Sequence, residues 1–281
     1  MPSSAPLESP LSIEIRNLPG WHGYRSGEAI PHRASAMPSS SPVAHADPCL
    51  LDGVQPLLAE LHSEIRTEVI DAGHPGRAEA EAFVHHVFAQ RHRADVRSFY
   101  PTLLSFSDAQ HRRAVVGLRD GATGSFFSEQ YLPEQAEHLI GERIGAPVTR
   151  GDLVEVGNLA LVSPGDTRWV IAATTVFLRT LGYRWVLFTA TRMLINAFQR
   201  LGMRPIALVA ASPQLLADGG RHWGDYYRAA PVVCAGQIES GYHKLCGHVG
   251  ASQPALHALL CEASRQAAAF GAGAVPCCGG E

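Results

Sequence analysis

Two side chains able to do chemistry interrupt the run Leu153-Val154-Glu155-Val156-Gly157-Asn158-Leu159-Ala160-Leu161-Val162: the carboxylate of Glu155 and the carboxamide of Asn158. The run is Val- and Leu-rich, has strand length and follows the turn signal Thr149-Arg150-Gly151-Asp152. A strand this apolar is expected to be buried on both faces. An ionised carboxylate there needs a paired cation, a raised pKa or a ligand. A raised pKa would suit Glu155 to act as a base, directly or through water, on an amine that attacks a thioester. Gly157 predicts a bulge or the close approach of another backbone, and N–H groups freed there could receive a thioester carbonyl. The same ten residues also allow a plain core strand with a buried Glu–Arg pair, and both readings stay open at this point.

Further polar candidates surround that strand. Thr102–Phe106, Ala114–Arg119 and Ser125–Leu132 alternate like strands, with Asp120-Gly121 as a turn dipeptide. Period two would put Glu129 and Tyr131 on one face, making Glu129 a second candidate base. Both carboxylates could then point into one cavity, one binding the ammonium and the other removing its proton. Arg119 would pair with a buried carboxylate or with a carboxylate on the substrate, the alternative being a structural salt bridge. Trp223, Tyr226 and Tyr227 suit a pocket wall or lid, or equally a satellite core.

The elements that must carry these residues read as follows. Residues 1–50 are rich in Pro, Ser, Ala, Gly and His and read as a flexible arm, with Leu11–Ile15 as a possible edge strand. A helix is predicted from Pro56 to Gly73, and a second over 78–94 with Phe83, Val84, Val87 and Phe88 as its apolar stripe. Pro133 opens a short helix to about Ile144. Beyond the Glu155 strand come a helix from Ser163-Pro164-Gly165-Asp166 to Leu181, a strand Tyr183–Thr189, a helix Arg192–Leu201 and a strand Pro205–Ala211. That rhythm predicts a partly parallel α/β sheet with helices packed on it. Pro231–Ile238 reads as a strand and 253–269 as an amphipathic helix. The domain reading is therefore an arm over 1–50, a catalytic domain over 51–240 and a C-terminal helix and tail over 241–281.

Composition narrows the function classes. The chain has 281 residues and a net charge of −3, with no general drive toward nucleic acid or membrane. Lys244 is its single lysine, which removes a P-loop lysine and most Schiff-base chemistry. Six cysteines at scattered positions, with no secretory signal pattern and no 18-residue apolar span, predict a cytoplasmic protein with reduced thiols. His243-x-x-Cys246-x-His248 lacks a clear fourth ligand and Cys277-Cys278 lacks a partner pair, so no metal is expected.

Four stretches in order, Glu129-Gln130-Tyr131-Leu132, Val154–Ala160, Trp185-Val186-Leu187-Phe188-Thr189-Ala190-Thr191 and Trp223-Gly224-x-Tyr226-Tyr227, resemble the bacterial thermostable hemolysins over about residues 78–240. That family in turn resembles the GNAT-type N-acyltransferases, above all the acyl-homoserine-lactone synthase branch. The resemblance implies a GNAT-like mixed, partly parallel twisted sheet flanked by helices. It implies catalysis by Glu155, Glu129 and Asn158, with an oxyanion received by backbone N–H groups of the 157–161 strand. Leu159, Ala160, Leu161, Arg168, Asn196 and Phe198 would hold the donor, the last two on the helix that lies along a pantetheine arm. Arg119, Tyr131, Thr189, Trp223, Tyr226 and Tyr227 would hold the acceptor.

One departure bears on the donor. The loop Ser163-Pro164-Gly165-Asp166-Thr167-Arg168 lacks the glycine pattern with which acetyltransferases hold a pyrophosphate, and Asp166 would repel phosphate. The resemblance therefore leans toward acyl carrier protein rather than CoA as thioester source. An acidic carrier would suit Arg91/Arg93 or Arg112/Arg113. The expectation is transfer of an acyl chain to the amine of a small molecule such as an amino acid, by a monomer or homodimer, with no tightly bound cofactor and no stable membrane insertion. The alternatives are a membrane-damaging protein and a module that binds an acyl chain or carrier without chemistry.

Overall fold

The computed structural model describes residues 64–246 and 253–273. Its centre is a seven-stranded sheet in the order β1-β2-β3-β4-β5-β7-β6. The strands are β1 Arg66–Ile70, β2 Thr102–Ser107, β3 Arg112–Asp120, β4 Leu153–Leu161, β5 Trp185–Ala190, β6 Ile206–Ala210 and β7 Val232–Gln237. Only β4 and β5 run parallel; every other neighbouring pair is antiparallel. The expected mixed, partly parallel sheet flanked by helices is thus present. Its parallel part is confined to the one pair that a helical crossover must join.

Side chains alternate across the sheet, so each strand feeds two cores. One face carries α1 (Arg77–His92) and α2 (Ala136–Ile144), together with the 3₁₀ segments Phe127–Tyr131, Arg221–Trp223 and Tyr226–Ala229. The other carries α3 (Thr167–Thr180), α4 (Arg192–Arg200), α5 (Ile238–Cys246) and α6 (Pro254–Gly273). Helix α3 buries Trp169, Val170, Ile171, Ala172, Ala173 and Val176 because it lies between the sheet and a further helical layer. Leu256, Leu259, Leu260 and Ala263 of α6 close that same core.

Several sequence expectations are corrected. The helix expected from Pro56 lies outside the described residues up to 63, and its last part is β1. There Ile65, Thr67 and Ile70 turn inward, and β1 pairs with β2. These are β-branched residues that pack well on a pleated sheet. Ser125–Leu132 is not a strand: Phe127–Tyr131 coils into a 3₁₀ turn, so Glu129 and Tyr131 do not share a face. Asp120-Gly121 opens another 3₁₀ turn, and the β2–β3 hairpin is closed instead around Asp108, whose carboxylate accepts from the Gln110 and His111 N–H groups. Strand β6 does not continue the parallel series, because β7 inserts between it and β5. The proposed edge strand at 11–15, His248 and Cys277-Cys278 lie outside the described residues.

Candidate active site

The strand that sequence singled out carries an extra residue. Across β3, Val115 faces Ala160 and Gly117 faces Gly157, so the single residue Val116 is opposed by Asn158 and Leu159. Asn158 takes the surplus with φ 46°, in the left-handed region that Asn tolerates better than most side chains. The bulge resets the alternation. Glu155, Gly157 and Asn158 all meet the α1 face, whereas Val156, Leu159 and Leu161 meet the α3 face. Past Val156 and Phe188 the pairing of β4 with β5 ends, and the two strands part. The bulge anticipated at Gly157 is therefore present. The close neighbour there is an aromatic ring, however, and not a backbone.

That ring is Tyr100, which sequence reasoning missed. Gly117 and Gly157 are cross-strand partners, and Tyr100 fills the slot left by their missing side chains. A Cβ on Gly157 would stand 2.5 Å from the ring, and one on Gly117 would stand 2.9 Å from the Tyr100 Cβ. The Tyr100 N–H donates to Asn158 Oδ1 at 2.9 Å and its carbonyl accepts from Arg77 at 2.7 Å. Its hydroxyl bonds to Glu155, and burial together with that carboxylate pushes the phenol well above its ordinary value. Two facing glycines on neighbouring strands were the available signal, but it becomes legible only once the register is known.

Glu155 is fully buried, with its two oxygens accepting from the Phe127 N–H at 2.8 Å and the Ser128 N–H at 2.6 Å. Burial raises its pKa, opposed by the bonds from Ser128, Phe127 and Tyr100. Arg119 lies beside it in the β3–β4 register, yet its guanidinium donates to the Ser125 carbonyl at 3.0 Å and stacks over Tyr100 at 5.1 Å. Its buried Nε has no partner. The plain Glu–Arg pair allowed by the sequence is thus not what holds this carboxylate; backbone N–H groups and a phenol do.

A cavity of about 210 Å³ occupies the gap between β4 and β5 and reaches both faces of the sheet. On the α1 side it is walled by Tyr100, Arg119, Phe127, Tyr131, Trp223, Tyr226 and Tyr227. On the α3 side it is walled by Val156, Leu159, Leu161, Val170, Thr174 and Leu178, with Phe188, Met193, Leu194 and Phe198 contributed by β5 and α4. Thr189 also borders it and shares a bond of 3.2 Å with Ser128, while Tyr131 and Tyr227 join hydroxyls at 2.5 Å. Phe198 stacks on Phe188 with centroids 4.9 Å apart.

Other assignments are not brought together. Glu155 does not itself border the cavity but sits one layer behind it, reached through Tyr100. Glu129 is turned away: it pairs with Arg150 and accepts from the Phe126 and Ala136 N–H groups. Although burial raises its pKa, the Arg150 bond and those N–H donors outweigh it and hold Glu129 below its ordinary value, the reverse of what a base needs. The expected pair of carboxylates in one cavity is therefore replaced by Glu155 alone. Ala160 points into the α1 core because the bulge reverses its side; Arg168 and exposed Asn196 do not border the cavity.

The surroundings of the donor loop also differ from expectation. The charge of Asp166 is compensated by Arg113, which reaches both its oxygens at 3.0 Å, and by the Trp169 Nε1–H. Arg113 also holds Asp108 at 3.1 Å, Arg93 meets Asp225 at 3.5 Å and Arg91 donates to the Val162 carbonyl at 3.0 Å. These arginines, expected to greet an acidic carrier, are thus engaged within the fold. His243 pairs with Glu239, and among the described residues no group of three His, Cys, Asp or Glu side chains is placed to hold a metal.

Asn158 has a measurable structural role. Asn158→Ala is expected to cost about 2–4 kcal/mol, from a buried Tyr100 N–H left without a partner and a left-handed alanine. Thermal unfolding should show a fall of several degrees, with Asn158→Gly falling less because it keeps the backbone conformation.

No curated protein sequence matches the chain. Among solved structures it is similar to FeeM, an N-acyl amino acid synthase from uncultured soil microbes, at 10% identity and a TM-score of 0.45, over 64% of this chain and 93% of that one. It is similar to BjaI, a CoA-dependent acyl-homoserine lactone synthase solved with SAM and isopentyl-CoA, at 15% identity and a TM-score of 0.46, over 73% and 99%. The AHL synthase LasI matches at 12% identity and a TM-score of 0.44, over 63% and 91%. The profile of one family covers residues 70–242, a span running from the end of β1 into α5 and holding the bulged strand, Tyr100 and the aromatic turns. The chain belongs to the thermostable hemolysin family.

Proposed function

We propose that the protein is an N-acyltransferase that moves an acyl chain from a thioester, on acyl carrier protein or CoA, to the amine of a small molecule such as an amino acid. The observation that carries this reading is the gap between β4 and β5. It opens beside a buried carboxylate with a raised pKa on one side and onto an apolar wall on the other.

In this mechanism the acceptor lies on the α1 side against Arg119 and the Tyr and Trp side chains, with Arg119 meeting a carboxylate of the acceptor. The acyl chain lies along Val156, Leu159, Leu161 and α3. The amine nitrogen bonds to the thioester carbonyl carbon as the carbon–sulfur bond breaks. The proton of the nitrogen passes to the Tyr100 oxygen while the Tyr100 hydroxyl gives its own to Glu155. The departing thiolate takes a proton from water, and Glu155 returns one to solvent, leaving an amide and a free thiol. Carbonyl charge that develops in this step is met by β4 backbone N–H groups on the side that has lost its strand partner. Asn158 acts by holding Tyr100 in place.

The pH dependence has a defined sign. Activity requires Glu155 ionised, so kcat/KM should rise as pH climbs through a pKa above the ordinary 4.5. Stability should move the other way. A carboxyl with a raised pKa in the fold contributes stability that is complete below its unfolded value and is lost as pH rises through the folded one. Midpoints of thermal unfolding between pH 4 and 8, compared with those of Glu155→Gln, isolate that contribution.

The deciding experiment supplies purified protein with acyl-CoA or acyl carrier protein and a mixture of amino acids, following thiol release and N-acyl products by mass spectrometry. A donor-dependent N-acyl product supports the reading. Lysis of erythrocytes by the protein without any donor would favour direct membrane damage, for which no described helix is long and apolar enough to cross a bilayer. Donor-induced thermal stabilisation with no thiol release would leave only a binding module.

A further inference from the structure

The mechanism leaves aside an ionic group that touches the same turn as Glu155. Arg150 makes five hydrogen bonds there through Nε and both terminal nitrogens. Two form a fork on the oxygens of Glu129, and one meets Glu137 of α2 at 3.1 Å. The others meet the carbonyls of Gly121 at 3.1 Å and Gly124 at 2.6 Å, and the guanidinium lies over the Phe126 ring at 3.8 Å. Glu129 in turn accepts from the Phe126 N–H at 2.9 Å and the Ala136 N–H at 3.3 Å. The two side chains are only 25% and 17% exposed, so the pair is stiffer than a solvated one.

These contacts decide where three consecutive N–H groups point. That of Phe126 is held by Glu129, and those of Phe127 and Ser128 reach the oxygens of Glu155 at 2.8 and 2.6 Å. Successive N–H groups offered by one turn make a concavity that holds an anion. Arg150 belongs to the 3₁₀ turn Arg150–Asp152, which leads straight into β4. The fork therefore ties the turn that donates to the strand that accepts.

We infer that Glu129 and Arg150 are positioning residues for Glu155: their fork keeps the Phe127 and Ser128 N–H groups aimed at its carboxylate, so that it is held ionised. The inference rests on the acyl-transfer reading for why an ionised Glu155 is needed, but the hold itself can be measured without turnover. Glu129→Gln decides by sign. Removing a negative charge beside this turn would, through space alone, lower the pKa of Glu155. Loosening the turn does the opposite, because a carboxylate that loses N–H donors takes up its proton more readily. Other titratable groups at Glu155 are Tyr100 from the segment before β2, Arg119 from β3 and Tyr131 from the same turn, while β5 presents Leu187 at this register. The variants leave all of these in place.

The acid limb of kcat/KM is measured for each variant, and the Glu155 carboxyl is titrated directly by infrared difference spectroscopy, its band assigned by loss in Glu155→Gln. Both should move up by about one pH unit in Glu129→Gln. Arg150→Lys keeps the cation without the fork and should move them less in the same direction, which serves if Glu129→Gln does not fold. Glu137→Gln removes the same charge as Glu129→Gln but spares the fork, so it should give no upward shift. A lower melting temperature with limb and band in place would make the pair merely structural and overturn the inference. A downward shift in Glu129→Gln, or an equal upward one in Glu137→Gln, overturns it too. If no thioester is turned over while the band still titrates higher in Glu129→Gln, the acyl-transfer reading fails and the hold on Glu155 stands.

Discussion

Glu155→Gln should lower acyl transfer by about 10²–10⁴-fold, the usual contribution of a positioned general base. The amide cannot take the Tyr100 proton, so the relay from the amine stops there and the loss should appear in kcat at saturating substrates. The substitution also disturbs the fold in a definable way. Each carboxylate oxygen accepts a backbone N–H, from Phe127 and Ser128, and an amide offers only one acceptor oxygen in the same place. One N–H then faces an NH₂ group, at a cost of about 1–3 kcal/mol. Relief of the burial penalty on an ionised group offsets part of it at neutral pH. The variant should therefore stay folded with an altered melting temperature and lose the pH dependence attributed to Glu155. Near-normal turnover in a folded Glu155→Gln would remove Glu155 from the reaction.

The second large effect is expected at Gly157. A methyl group there would sit 2.5 Å from the Tyr100 ring and hydroxyl, far inside contact distance. The ring has little room to yield, because Gly117 and the Asn158 and Arg77 hydrogen bonds fix it from the other sides. Overpacking of this kind costs about 1–3 kcal/mol. Displacing the phenol from Glu155 should abolish most activity as well. Tyr100→Phe provides the comparison: it keeps the packing and removes only the hydroxyl, so it should lower kcat with little change in melting temperature. If Gly157→Ala melts and turns over like wild type, the slot is not as tight as the geometry requires.

Much of this site was legible from β4 alone. A carboxylate, a glycine and a carboxamide inside an apolar strand already pointed to a bulge or close approach and to a cation, a raised pKa or a ligand for the charge; the bulge and the raised pKa are present. The partner could not be read, because it comes from elements far away in sequence. The Phe127 and Ser128 N–H groups are offered by a turn that alternates like a strand on paper and in the fold coils so that Glu155 and Glu129 accept its N–H groups. Glu129, the second candidate base by sequence, is instead paired with Arg150, which lies far from it in the chain. Helices α1, α3, α4 and α6 were readable from their apolar periodicity, whereas α5 went unread and β1 reads as a helix: Ile65 and Val69 fit a helical stripe as well as a strand, and pairing with β2 decided the matter. The place of β7 between β5 and β6 depends on pairing that no local pattern encodes.

The residue inserted at Asn158 has a consequence for how selectivity can change. Because it throws the two halves of β4 out of phase, a single strand presents polar groups to the aromatic side of the cavity and hydrocarbon to the α3 side. If the proposed acyl transfer holds, variation in α3 should retune chain preference and variation in the aromatic turns should retune the amine, each without reference to the other. Mutations in β4 itself have no such freedom, so diversification among relatives should accumulate on the flanking layers and spare the partition between them.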